Sequence, residues 1–212
     1  MRTVRITVML CIACSAPWGC AKNHAQDRAE ELNEKVRQDP SNVSLLVDLG
    51  RAYHDAENPG KAIEALDRAL SLDEGNPVAM VYLGSSYTKK ARDASAVDEK
   101  VESLNKGFIL LDQAVAKSPD NYLVRMVRGF NSLGIPDLFS RGKYAIEDFE
   151  YLLKRLEVDP KVVPNATIPR IYYGLTLAYR RNNQPEKAEQ MQQRLLREYP
   201  ESEYVKALQP QE

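Results

Sequence analysis

The residues most often used for catalysis or metal binding are scarce in this chain. All three cysteines, Cys11, Cys14 and Cys20, lie within the first twenty residues, and the two histidines are His24 and His54. A zinc site, a histidine general base or a cysteine nucleophile would have to be built from these few side chains. After residue 20 the chain has no cysteine for disulfides or thiolate chemistry. We therefore expect no metal site, no cofactor and no enzymatic activity.

Three clustered carboxylates, Glu147, Asp148 and Glu150, are the next candidates for chemistry. General acid–base catalysis needs two carboxylates that face each other across a substrate and have different pKa values. On one helix, neighbours at these spacings point in different directions or lie side by side. The sequence therefore predicts that this cluster is a solvated helix face.

Basic residues offer a different chemistry, because guanidinium groups bind carboxylates and phosphates through paired hydrogen bonds. Arg125 and Arg128 are three residues apart and would face the same way on a helix. Two interpretations remain open: an anion or ligand site, or internal pairing with Asp93, Asp137 or Glu147, which we favour. The residues of this candidate anion site are Arg92, Arg125, Arg128, Phe139 and Arg141.

The composition of the chain indicates which classes of protein it can belong to. The chain has 212 residues, of which 43% are hydrophobic and 28% are charged, and its net charge is −1. That is enough apolar material for the core of one domain or of one short repeat array. The near-zero charge offers no electrostatic basis for binding nucleic acid.

The beginning of the chain has the order of an export signal. Arg2 and Arg5 precede the apolar run Ile6 to Ala13, small residues follow, and a polar stretch starts at Ala21. This resembles a secretory signal peptide. An apolar run this short cannot cross roughly 30 Å of hydrocarbon as a helix, so a permanent transmembrane anchor is the poorer interpretation.

Cys20 stands where the small-residue zone ends, and this placement resembles a bacterial lipoprotein signal, in which the cysteine becomes the acylated first residue. Cys14 also follows a small residue but leaves a very short apolar core, so Cys20 is favoured as the lipid attachment site. The resemblance implies a membrane-anchored protein of the cell envelope that faces the periplasm. Ala21 resembles an outer-membrane sorting residue if the host has two membranes. The alternative is a plain signal peptide that releases a soluble protein.

A repeated pattern runs through the rest of the chain. Leu49-Gly50-x-x-Tyr53 recurs as Leu83-Gly84-x-x-Tyr87, and the two glycines are 34 residues apart. This resembles the tetratricopeptide repeat (TPR), a helix-turn-helix unit with small residues where its two helices cross. The resemblance implies an all-α fold, a right-handed α-solenoid of about four TPR-like repeats with flanking capping helices.

The boundaries follow from the pattern. We predict a signal peptide over 1–19, a flexible tether over 20–27 and a solenoid over 28–209, with repeats at about 43–76, 77–121, 122–164 and 169–201. The capping helices are expected at Arg28 to Gln38 and Glu203 to Leu208. The second repeat holds extra residues, but Val97, Val101, Leu104 and Phe108 keep helical spacing, which predicts lengthened helices.

In the TPR family the first helix of each repeat lines the concave surface. The partner-binding groove mapped from the family's groove positions consists of Val47, Arg51, His54, Val81, Ser85, Met126, Phe130, Arg170, Tyr173, Leu177 and Arg180. This surface is apolar in the middle with arginines at both ends, and it suits a peptide segment. Val47 and Arg51 do not match the family's clamp for a chain-terminal carboxylate.

Two functions remain open. The first is an envelope-anchored scaffold or adaptor that binds another envelope protein or peptide segment. The second is a solute-binding accessory of a transporter, with a pocket at the insertions of repeats two and three lined by Phe130, Phe139, Arg125 and Arg128.

Overall fold

The structure is a computed structural model, and it describes residues 17–208. Within these residues there are ten α-helices and no β-strand. The helices are α1 (Pro17–Gln38), α2 (Val43–Asp55), α3 (Pro59–Leu72), α4 (Pro77–Asp93), α5 (Val97–Lys117), α6 (Tyr122–Gly134), α7 (Gly142–Val158), α8 (Ile168–Arg181), α9 (Pro185–Glu198) and α10 (Glu203–Leu208). Short 3-10 helices lie at Asp137–Phe139 and Asn165–Thr167.

Asparagines set where the first helix of three repeats begins. The side-chain oxygens of Asn42, Asn76 and Asn121 accept backbone N–H bonds from the first turns of α2, α4 and α6 at 3.0 to 3.3 Å. These bonds satisfy amides that have no partner inside a helix. The connections before these helices are only four residues long, so consecutive helices pack as antiparallel neighbours.

The helices form two layers. The first helices of the repeats, α2, α4, α6 and α8, each contact the next one and make the inner layer, whereas α3, α5, α7 and α9 pack outside their own partners. Two apolar clusters fill the space between the layers, one from α1 to α6 and one from α6 to α9. This is the α-solenoid predicted from the repeats, and α1 and α10 cover its two ends as expected.

The predicted crossing points are confirmed. A Cβ on Gly84 would lie 2.8 Å from the backbone oxygen of Gly107, so α4 and α5 touch through their backbones there. At the crossing of α2 and α3, a Cβ on Gly50 would collide with the side chain of Leu66. Glycine is therefore required at both positions by the distance between the helices.

The insertion in the second repeat lengthens its helices, as predicted: α4 has 17 residues and α5 has 21. Their added turns and the insertion of the third repeat bury a small separate cluster, formed by Ala91, Leu104 and Ile135. Arg181 fixes that insertion, because its guanidinium donates to the backbone oxygens of Leu133 and Ile135 and pairs with Asp137.

The first residue of helix α1 differs from the prediction. Helix α1 starts at Pro17, not at Arg28, so residues 20–27 are helical where we predicted a flexible tether. The reason is local: alanines recur along this stretch, Gln26 bonds to Glu30 one turn later, and no glycine or proline follows residue 19 before Pro40. Residues 1–16 of the predicted signal peptide, including Cys14, lie outside the described residues. Within residues 17–208, no helix combines the length and the apolar character that crossing a membrane requires.

Candidate functional site

The structure divides the predicted groove residues into a buried group and an accessible group. Val47, Val81, Ser85 and Met126 are buried between neighbouring inner helices and offer no surface to a partner. This corrects the mapping from the sequence, and the cause is the close packing of α2, α4 and α6. The accessible or half-buried members are Arg51, His54, Phe130, Arg170, Tyr173, Leu177 and Arg180.

Cations stacked on aromatic rings form one row across the inner layer. The Arg51 guanidinium carbon lies 5.3 Å from the ring centroid of Tyr82, and that of Arg170 lies 4.4 Å from the ring centroid of Phe130. Tyr173 continues the row towards α10. Burial raises the pKa of Tyr82, against the opposing charge of Arg51, so its ring stays neutral. We call Arg51, Tyr82, Phe130, Arg170 and Tyr173 the cation–aromatic row.

A chain of hydrogen bonds runs beside this row and joins three helices. His54 Nε2 lies 2.9 Å from Ser85 Oγ, and the side-chain amide of Asn131 donates to Ser85 Oγ at 3.2 Å and to Thr88 Oγ1 at 2.6 Å. His54 Nδ1 lies 3.1 Å from a carboxylate oxygen of Asp55. These bonds hold α2, α4 and α6 in register.

The order Asp55, His54, Ser85 matches that of a nucleophilic triad, but the surroundings do not fit catalysis. Ser85 is only 5% exposed. Its oxygen already accepts the Asn131 amide, so it is positioned to link helices and not to attack a substrate. The group is better explained as a structural cross-link of the inner layer.

The buried imidazole predicts a pH dependence of stability. Burial holds the pKa of His54 below its ordinary value of 6.5, with Lys89 acting in the same direction and Asp55 and Glu57 against it. Below pH 6.5 the unfolded chain therefore binds a proton that the folded chain does not, so stability is intact above pH 6.5 and falls as the pH drops below it.

We expect the free energy of unfolding of the wild type to fall more steeply between pH 6.5 and 5.5 than that of His54→Gln, by up to about 1.4 kcal/mol per pH unit. Urea denaturation followed by circular dichroism at several pH values measures this difference. Since the other titrating groups are shared, equal slopes in the two proteins would contradict the assignment.

The accessible surface carries positive charge without nearby counter-charge. Within residues 17–208, no carboxylate lies within 4.0 Å of the guanidinium groups of Arg170 or Arg180, whereas Arg51 pairs with Asp48 at 3.2 Å. The side-chain oxygen of Asn131 and Nε of Arg51 are buried and have no hydrogen-bond partner within the described part of the chain. The inner surface thus keeps the charge of its exposed arginines for a ligand, whereas these two buried atoms are not open to one.

The candidate anion site is occupied by the chain's own carboxylates. Asp148 is 0% exposed, and it accepts two hydrogen bonds from Arg128 at 2.8 Å and one from Arg125 at 2.9 Å. The prediction of a solvated face is wrong for Asp148 but right for its exposed neighbours Glu147 and Glu150. Burial raises the pKa of Asp148, and the two guanidinium groups act against that shift.

The remaining members of that candidate site are also engaged. Arg141 is buried and donates two hydrogen bonds to Asp112 at 2.7 and 2.8 Å, while Arg92 pairs with Asp93 and Glu57. Phe139 packs against Phe108 and does not join Arg125 or Arg128. The arginines of the candidate anion site are thus already paired with carboxylates of the chain. They are not available to bind an anionic solute in the pocket predicted at the insertions.

Comparisons with known proteins agree with this architecture. A sequence model described as tetratricopeptide repeat matches residues 25–98. Among solved structures, a thermophilic TPR protein of Thermus thermophilus, TTC0263, has a TM-score of 0.68 at 15% identity, covering 89% of this chain and 93% of that one.

Two structures of MamA have TM-scores of 0.53 and 0.51 at 20% identity, covering 89% and 92% of this chain and 97% and 99% of theirs. No curated protein sequence matches the chain. At these identities the structural matches concern the fold alone. The paired helices, the two layers and the structural matches give the described part of the chain the α-solenoid fold seen in TPR proteins, and the sequence match places TPR-type repeats at residues 25–98.

Proposed function

We propose that this chain is an envelope-anchored TPR scaffold or adaptor that binds a segment of another envelope protein on its concave surface. Proteins with this repeat generally mediate protein–protein interaction. The observation that carries the proposal is the cation–aromatic row, where Arg170 lies over Phe130 with no carboxylate near it among residues 17–208.

The row favours a partner segment that carries both carboxylates and apolar side chains. Aromatic rings and arginines provide most of the binding energy in many interfaces, because they combine a large contact area with directed polar groups. The exposed guanidinium of Arg170 can also donate hydrogen bonds to the carboxylates of such a segment.

Anchoring is proposed from the sequence at the start of the chain. In this proposal the signal peptide is removed, Cys20 is acylated, and the solenoid faces the periplasm, at the outer membrane if the host has two. Mass spectrometry of the mature protein tests this directly, since it identifies the first residue and its acyl chains. An unprocessed or unacylated chain would remove the anchoring part of the proposal.

A cross-linking pull-down from host membranes tests the binding surface. We expect Arg51→Glu combined with Arg170→Glu to reduce recovery of the partner at least tenfold, because the charge of the row is reversed. Arg197→Glu is the matched control, since Arg197 is an exposed arginine on the outer helix α9. Equal recovery by the double variant, with unchanged circular dichroism, would show that the partner does not use this row.

A further inference from the structure

Helix α1 begins at the same edge of the solenoid where the inner helices end. A four-residue connection joins α1 to α2, so the two are antiparallel. Asn33 of α1 lines one cavity with Leu49 and Tyr53 of α2, so the two helices lie side by side. We call the edge formed by residues 56–58, 94–96 and 135–141 the turn edge. The start of α1 therefore points towards the turn edge.

Two elements project beyond α2 at this edge by similar distances. Helix α1 has 22 residues and α2 has 13, so Cys20 lies about 9 Å beyond the end of α2 at a rise of about 1.5 Å per residue. His54 and Ser85 are level, because they are hydrogen-bonded. Since α4 continues to Asp93, the α4–α5 hairpin projects about 10 Å beyond α2. A flat surface such as a bilayer can therefore contact the chain at residue 20 and at the tip of the hairpin at the same time.

The turn edge exposes apolar side chains. Val97 and Leu138 are 76% and 77% exposed, and Val101 and Phe139 are also exposed. Val97, Val101 and Phe108 share one face of α5 by helical spacing. The Phe139 ring packs on Phe108 at a centroid distance of 5.8 Å. Phe108 thus connects this face of α5 to the 3-10 helix, about 10 Å along the helix from Val101.

The charges beside this surface compensate each other. Lys90 pairs with Glu99, Lys89 and Arg92 pair with Glu57, and Arg92 also pairs with Asp93. The turn edge therefore has no excess charge to attract a polyanion or an acidic protein. A charge-balanced edge with projecting aliphatic and aromatic groups fits the boundary between the headgroups and acyl chains of a bilayer.

We propose that the turn edge rests on the lipid surface in which the chain is anchored, with Val97, Val101, Leu138 and Phe139 inserted at the headgroup boundary. This inference rests on the proposed acylation of Cys20. An acyl chain confines the turn edge close to the bilayer, so a second, weaker contact forms at a high effective concentration. Because α1 is helical from Pro17, the anchor connects to the solenoid without a flexible spacer. The helices stand upright on the membrane, and the concave surface faces sideways, open to a partner.

Spin labels at single cysteines test this arrangement, because the chain has no cysteine after residue 20. The probes are Val97→Cys and Leu138→Cys, and the control is Val158→Cys, which is 78% exposed and lies at the opposite edge. The acylated protein is reconstituted into phosphatidylcholine vesicles, and the collision of each label with oxygen and with a water-soluble nickel complex is measured. We expect labels at 97 and 138 to be protected from nickel severalfold on reconstitution, and the label at 158 to be unchanged.

Other outcomes distinguish the lipid contact of the turn edge from the acylation of Cys20. Acylated protein whose three labels are equally accessible to nickel would overturn this inference and leave the anchoring intact. A chain that mass spectrometry finds without acylation at Cys20 would overturn both. Protection of 97 and 138 that appears without vesicles and grows with protein concentration would identify a second copy as the occupant and would overturn the lipid contact.

Discussion

Replacing Asp148 by alanine is expected to lower the free energy of unfolding by about 3–5 kcal/mol. The substitution leaves Arg125 and Arg128 buried without the carboxylate that receives three of their hydrogen bonds. Removing one partner of a buried ion pair costs this much because the remaining charges stay desolvated, and the exposed Glu147 compensates them only in part. Since whole domains are stable by about 5–15 kcal/mol, the loss is large.

Urea denaturation followed by circular dichroism measures this change. Glu147→Ala is the control, because Glu147 contacts the same Arg128 at 2.8 Å but is more than half exposed. An exposed ion pair contributes about 0–1 kcal/mol, so the control variant is expected to unfold almost like the wild type. If both variants lost the same stability, burial of Asp148 would not be the cause.

Replacing Phe149 by alanine is expected to cost about 3–5 kcal/mol, through lost burial and the cavity that remains. Its ring is fully buried between α6 and α8, against the backbones of Gly129 and Gly174, and packs on Phe130 at a centroid distance of 4.9 Å. No side chain at either glycine can fill the space, so the cavity persists. Phe149→Leu is expected to cost less because it leaves a smaller cavity.

Hydrogen exchange shows which helices lose stability when Phe149 is replaced by alanine. Because each repeat contacts only its neighbours, we expect Phe149→Ala to speed exchange in α6 to α9 more than in α2 and α3. Phe139→Ala serves as the control, since its ring is partly exposed at the turn edge. Uniform acceleration over all helices would indicate that the solenoid unfolds as one cooperative unit.

Much of this fold can be predicted from the sequence because the repeats have glycine where their two helices cross. Gly50 and Gly84 recur at the repeat period, and the structure places each against the second helix of its hairpin. The long helices of the second repeat followed from the spacing of Val97, Val101 and Phe108. Periodicity reports which face of a helix is apolar, and here that was sufficient.

Periodicity does not report what lies opposite a polar residue. Asp148 is separated from its arginines by 20 and 23 residues, and nothing around it distinguishes it from exposed Glu147. The available signal was the spacing of Arg125 and Arg128 on the preceding helix, from which we predicted internal pairing with Asp93, Asp137 or Glu147 and not with Asp148.

The groove shows the same limit of a sequence-based prediction. Family positions identified Arg51 and Phe130, which belong to the cation–aromatic row. The same positions missed Tyr82, whose buried ring lies against the Arg51 guanidinium, and Asn131, which links α6 to α4, because both contacts depend on how closely neighbouring inner helices approach. That distance is a property of the packed array, and no single repeat encodes it.

The contact between Gly84 and Gly107 has a mechanical consequence. With two backbones touching, α4 and α5 have no intervening side chain that could change rotamer and let them slide. This hairpin is the longest within residues 17–208, and we expect it to resist bending because its inner helix α4 also packs in the concave layer. We expect a displacement at its tip to reach Tyr82 and Ser85, since both lie on α4 itself.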